Sequence, residues 1–160
     1  MRLVLAELAA GLLSCGASAQ AAEMAGLQAL MSCVEEPAPT TVLLDLSTAG
    51  ILGVRSGPGD DDDYCWPLTS PLQWGGATFG GVCVVTDDPE AMSAHPEFFW
   101  SASLAPWTEV WLTSTIAPAA LDRWARENLP AASRYEIDPL DAAEGTGALS
   151  CSEWHFPLPG

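Results

Sequence analysis

The stretch from Thr108 to Leu129 constrains the fold more than any other, because it reads as a strand running directly into a helix. Thr108-Glu109-Val110-Trp111-Leu112-Thr113-Ser114-Thr115-Ile116 is rich in β-branched and aromatic residues, which fit a pleated surface. Val110, Leu112 and Ile116 fall on one face, and Glu109, Thr113 and Thr115 on the other. Trp111 breaks this alternation and predicts that both faces are partly covered. Pro118 suits the first turn of a helix, where its missing N–H has no intrahelical partner. Leu121, Trp124, Ala125 and Asn128 follow at helical spacing, and Leu129-Pro130 ends the run. A strand and a helix this close must cover each other's apolar faces. The expected fold is a small single α+β domain with a mostly antiparallel sheet, helices packed on it, and two disulfides.

The amino terminus reads as a targeting segment. Arg2 gives a short positive start, Leu3 to Leu13 an apolar run interrupted by Glu7, and residues 16–21 a small-residue cleavage region. Cleavage after Ala19 or Ala21 fits the small-x-small pattern. The domain division is therefore a secretory signal over residues 1–21 and one folded domain over residues 22–160. Leu12-Leu13-Ser14-Cys15-Gly16 also resembles a lipobox, which would anchor the protein by a lipid on Cys15. The expected location is periplasmic or secreted, with a membrane-anchored lipoprotein as the alternative. No later apolar run reaches the roughly 18 residues of a transmembrane helix.

Either processing route leaves Cys33, Cys65, Cys83 and Cys151. An even number in an exported chain predicts two disulfides with three possible connectivities. The expected pairing is Cys33–Cys65 and Cys83–Cys151. No Cys-x-x-Cys occurs, so neither a thioredoxin-like redox pair nor a zinc knuckle is indicated.

The chain carries 21 Asp and Glu against five Arg and no Lys, for a formal net charge of −16. Loss of the leader removes Arg2 and Glu7 together and leaves that balance intact. So acidic a surface repels phosphate backbones, which argues against nucleic acid as a partner. It suits a basic partner or metal cations. It also suits a GC-rich or salt-exposed bacterium, whose surface acids are simply solvated.

Along the chain, Met24, Leu27, Met31 and Val34 form an apolar stripe that predicts a helix from Glu23 to Glu36, with Cys33 beside it. Residues 40–54 read two ways: Thr41-Val42-Leu43-Leu44 has strand chemistry, while Thr40 and Gly50 as caps suit a helix over Thr40 to Ala49, followed by a short strand from Ile51 to Arg55. A loop follows over Ser56 to Asp63. Gly75-Gly76 predicts a hairpin between Ser70–Trp74 and Ala77–Phe79. Val82 to Thr86 reads as a separate buried strand, and Asp88-Pro89 as a helix start running to about His95. Ser133 to Ile137 reads as a strand, Asp138 to Asp141 as a helical turn, and Ala148 to Phe156 as the last strand.

Candidate chemistry is sparse. Asp60, Asp61, Asp62 and Asp63 are weak calcium candidates, since neither EF-hand register places its ligands and glycine correctly. His95 and His155 alone do not supply a zinc site, and neither a metal nor another cofactor is expected. No nucleophile elbow or phosphate loop occurs, so no catalytic residue is assigned. Seven Trp are the compositional excess; Trp111 and Trp124 are expected in the core by periodicity. Phe98, Phe99, Trp100 and Trp107 lie in an irregular segment and are the candidate binding residues. The functional expectation is a non-enzymatic exported module that binds a protein or envelope component. The alternatives are a small carboxylate-dependent hydrolase and a calcium-stabilised structural protein.

Overall fold

The computed structural model describes residues 25–54, 64–99, 106–141 and 146–156. Five strands form one antiparallel sheet: β1 (Tyr64–Trp74), β2 (Ala77–Val85), β3 (Glu109–Ser114), β4 (Glu136–Asp141) and β5 (Thr146–Ser152). Their spatial order is β1-β2-β3-β5-β4. The helices are α1 (residues 25–30), α2 (Pro39–Thr48), α3 (Pro89–Ala94) and α4 (Pro118–Asn128). The expected α+β domain with helices on an antiparallel sheet is what the chain forms.

Residue alternation decides which sheet face is buried. Val84, Val110 and Cys151 lie in one row across β2, β3 and β5, and Val82, Leu112 and Leu149 in the next. All six are at most 1% exposed. The intervening rows, Cys65–Cys83–Trp111–Ser150 among them, point to the outer face.

Helix α4 follows β3 and carries the chain over β5 to the far edge; it contacts both β4 and β5. Leu121, Trp124 and Ala125 are its buried residues, at the predicted positions. Trp124 ties α4 to the β1–β2 hairpin. Its Nε1–H donates to Trp74 O at 2.9 Å and Gly75 O at 3.1 Å, and its ring meets Trp74 and Phe79 edge-on at 5.1 and 5.3 Å. Gly75 and Gly76 both have positive φ, +54° and +85°, and form the tight two-residue turn the sequence predicts. A Cβ on Gly75 would also lie 2.2 Å from Asn128 Oδ1 of α4.

Several elements differ from the sequence reading. The first helix stops after Leu30 instead of reaching Glu36. There the Ser32 hydroxyl donates to Ala29 O at 2.6 Å, and Cys33 turns into the left-handed region at φ +54°. Helix α2 begins at Pro39 behind Ala38, so Thr40 lies inside it and does not cap it. Its other end is as expected: Gly50 N–H bonds Ser47 O, Ile51 N–H bonds Leu46 O, and Ile51 and Leu46 are both buried. The strand expected after it shrinks to one bridge, Leu52 with Leu68. The separate short strands around the hairpin are continuous in β1 and β2. Pro67 and Pro71 are accommodated because β1 is an edge, with a register irregularity between Pro67 and Leu72.

The helical turn expected at Asp138–Asp141 is strand β4. Aspartate followed by proline starts helices, but an edge strand is the other place that tolerates a missing N–H, and β4 pairs only with β5. Strand β5 ends at Ser152, and Glu153–His155 form a 3₁₀ turn in place of further strand.

The expected disulfide connectivity is also corrected. Cys33 joins Cys151 and Cys65 joins Cys83. Cys83 and Cys151 point to opposite sheet faces, so no bond joins them across the sheet. Cys33 lies beneath the core face with Cys151, while Cys65 stands directly opposite Cys83 on the outer face.

Candidate functional site

Phe98 and Phe99, expected on an aromatic binding surface, are instead 6% and 4% exposed. They cap the core beside β1, with Phe99 edge-on to Tyr64 at 5.4 Å and Phe98 edge-on to Trp66 at 6.2 Å. Apolar area of this size is removed from water whenever a sheet face remains to be covered, and the lack of local periodicity hid that partner. Trp107 is half-buried and hydrogen-bonded. Trp100, Asp60 to Asp63, Cys15 and the leader all lie outside the described residues.

Two groups of carboxylates stand out instead. The first lines a cleft of about 560 Å³ between the start of α2, the β2–α3 connection and the 3₁₀ turn after β5. Glu36, Asp87, Asp88, Glu90 and Glu153 line it, together with His95 and no Arg among its lining residues. Local bonding sets its geometry. Asp88 caps α3 by accepting from Glu90 N–H at 2.8 Å and Ala91 N–H at 3.1 Å. Asp88 N–H in turn donates to the buried Thr86 hydroxyl at 3.2 Å. The Thr108 hydroxyl donates to Asp87 Oδ1 at 2.7 Å, and Thr108 O accepts Glu153 N–H at 3.0 Å. Loss of solvent pushes the Glu153 carboxyl above its ordinary range; the Thr108 contact opposes this, and the charges of Asp87 and Glu36 reinforce it. His95 Nδ1 lies 3.0 Å from Glu97 Oε1, and that hydrogen bond lowers the Glu97 carboxyl. The cleft is thus an acidic surface with no Arg among its described lining residues.

The second group sits on the outer sheet face, where β3, β5 and β4 run side by side. The fully buried Ser150 hydroxyl donates to Glu109 Oε1, and Trp107 Nε1–H donates to Glu109 Oε2 at 3.1 Å. Burial raises the Glu109 carboxyl; the Ser150 bond opposes the shift and the Asp138 charge adds to it. Burial likewise raises Asp138, reinforced by Glu136 and opposed by hydrogen bonds with Ser150 and Trp111. Two half-buried acids with raised proton affinity therefore lie on the same patch of the outer face, with the Ser150 hydroxyl donating to Glu109. Glu136 on the same edge faces His155 Nε2 at 3.5 Å. Beside them Ser152 Oγ is buried with no hydrogen-bond partner among the described residues. Neither the cleft above nor a shallower one of about 500 Å³ near Tyr135 contains Glu109, Asp138 or Ser150.

Among the described residues no group of three or more His, Cys, Asp and Glu is arranged to hold a metal ion. No helix of the described residues is long and apolar enough to cross a membrane. No protein-family model, curated protein or solved structure matches the chain.

Proposed function

We propose that the chain is an exported, acidic, non-enzymatic module of the periplasm or extracytoplasmic space, which binds a positively charged segment of a protein or envelope component. The observation that carries this reading is the cleft lined by Glu36, Asp87, Asp88, Glu90 and Glu153 without an Arg among its described lining residues. Like charges gathered around a concavity repel one another, and a cationic ligand relieves that repulsion while gaining Coulomb energy from several acids at once. The acids are spread along a cleft and not focused on a point, which fits an extended basic segment better than a single ion. The two disulfides are compatible with an oxidising compartment.

Titration with a lysine decapeptide by calorimetry at about 20 mM and 300 mM salt tests this. Binding should weaken with salt and fall at least tenfold in Asp87→Asn/Glu153→Gln. The control Asp45→Asn/Glu127→Gln removes the same charge elsewhere and should bind as the native protein does. Equal losses in the two double variants would leave only a nonspecific effect of net charge and refute the cleft.

A second reading, a carboxylate-dependent hydrolase, is favoured by the proximity of Glu109 and Asp138 on the outer face, because two acids with raised proton affinity suit acid–base work. Turnover of aryl glycosides at pH 5 that disappears in both Glu109→Gln and Asp138→Asn would replace the binding reading.

A further inference from the structure

The two disulfides occupy opposite environments. Cys33 and Cys151 are 0% and 1% exposed, and their bond joins residues 118 apart in sequence across the core. Cys65 and Cys83 are half-exposed on the outer sheet face and only 18 residues apart. They are direct cross-strand partners, with Cα atoms 4.0 Å apart. The register around them is fixed without the bond: Tyr64 pairs with Val84, Trp66 with Val82, and the Gly75-Gly76 turn closes the same hairpin. The neighbouring residues Tyr64, Trp66, Val82 and Val84 are all buried on the other face, so a one-residue slip would turn apolar side chains into water. The Cys65–Cys83 bond therefore adds little to specifying the hairpin. Both of its cysteines keep part of their surface in water, and a disulfide in that setting is open to attack by a thiolate.

We propose that Cys65–Cys83 is a thiol–disulfide exchange site, opened by a dithiol reductant and closed again by a disulfide oxidant, while Cys33–Cys151 holds the fold throughout. In the opening step one thiolate of the reductant attacks Sγ of Cys65 or Cys83. The bond between the two cysteines breaks, and the displaced cysteine leaves as a thiolate that takes up a proton. The second thiol of the reductant, deprotonated, attacks the mixed disulfide and releases the other cysteine. Two electrons and two protons pass to the protein, and the reductant leaves as its own disulfide. The product is a folded chain with two thiols facing each other on the outer face, next to Trp111, the cross-strand neighbour of Cys83. This site lies apart from the acidic cleft and does not depend on its ligand.

The test uses the oxidised full chain in buffers of increasing reduced-to-oxidised dithiothreitol ratio. Samples are quenched with a thiol-alkylating reagent and peptide-mapped for each pair. Cys65 and Cys83 should become alkylated at least ten times faster than Cys33 and Cys151, with the near-UV circular dichroism of the folded protein retained. Adding oxidised dithiothreitol should restore the bond. Simultaneous opening, prior opening of Cys33–Cys151, or loss of the folded signal when Cys65–Cys83 opens would each overturn the proposal. Cys65→Ser/Cys83→Ser provides the second measurement: it should unfold cooperatively, and a chain that fails to fold without this bond would show it to be a structural brace.

Discussion

Replacing Trp124 by Phe and, separately, by Ala separates two contributions of the residue that locks α4 onto the hairpin. Trp124 is 8% exposed, lies edge-on to Trp74 and Phe79, and donates its Nε1–H to two carbonyls in the turn. Phe keeps a ring between those neighbours but removes the donor. The lost hydrogen bond costs about 1 kcal/mol net, and incomplete filling of the indole space brings the total to roughly 2 kcal/mol. Ala removes the ring altogether, and a large aromatic-to-alanine change in a core costs about 3–5 kcal/mol. Urea unfolding followed by far-UV circular dichroism is the appropriate assay, because six other tryptophans confuse a fluorescence signal. The midpoint should fall in the order native, Phe, Ala, with the slope against urea unchanged. A loss below about 1 kcal/mol for Ala would refute the docking of α4 on the hairpin. Equal losses for Phe and Ala would show that the hydrogen bonds, not ring packing, hold the two together.

Glu109 and Asp138 bind protons more tightly when folded than when unfolded, so the stability they contribute is full below their ordinary values of 4.5 and 3.8 and is lost as pH rises through their folded values. The melting temperature should therefore decline over that rise, and the decline should be shallower in Glu109→Gln/Asp138→Asn than in the native protein. Gly75→Ala should cost about 1–2 kcal/mol from its left-handed backbone alone, plus the displacement of Asn128; thermal denaturation measures it, and a neutral effect would contradict the turn geometry. Asp88→Ala removes the acceptor for two N–H groups at the start of α3 and should cost about 1 kcal/mol, whereas Asp88→Asn should be nearly silent. On loop length, removing Cys33–Cys151 should cost nearly 5 kcal/mol and removing Cys65–Cys83 about 3 kcal/mol, and a reversed order in denaturant unfolding would contradict the assignment of the brace.

What could be read from the sequence was local. The Gly75-Gly76 turn, the Asp88 cap and the apolar stripe of α4 each depend on residues within a few positions of one another, and each forms as expected. The misread elements depend on distant partners. Pro139 suits either a helix start or an edge strand, and only the strand order makes β4 an edge. The disulfide pairing follows from which sheet face each cysteine occupies, a parity that depends on the full extents of β1, β2 and β5. Phe98 and Phe99 show no periodicity because their packing partners, Tyr64 and Trp66, lie over thirty residues earlier. The carboxylate pair was hidden for the same reason. Alternation puts Glu109 on the polar face of its strand, but Ser150 and Asp138 come near it only because β5 returns between β3 and β4. The acidic cleft likewise gathers Glu36, Asp87 and Glu153 from three distant segments. Net charge announced an acidic surface without showing where it turns concave.

Every functional proposal here starts from a chain that is exported and oxidised before it acts. Intact mass and a non-reducing peptide map of the protein recovered from its own cells measure this directly. The expected species is a chain beginning near Gln20 or Ala22, or a lipid-modified chain beginning at Cys15, whose mass rises by about 4 Da on reduction. Its cross-linked peptides should join Cys33 to Cys151 and Cys65 to Cys83. A full-length chain with all five cysteines as free thiols would contradict the compartment and remove the basis for an extracytoplasmic binding module.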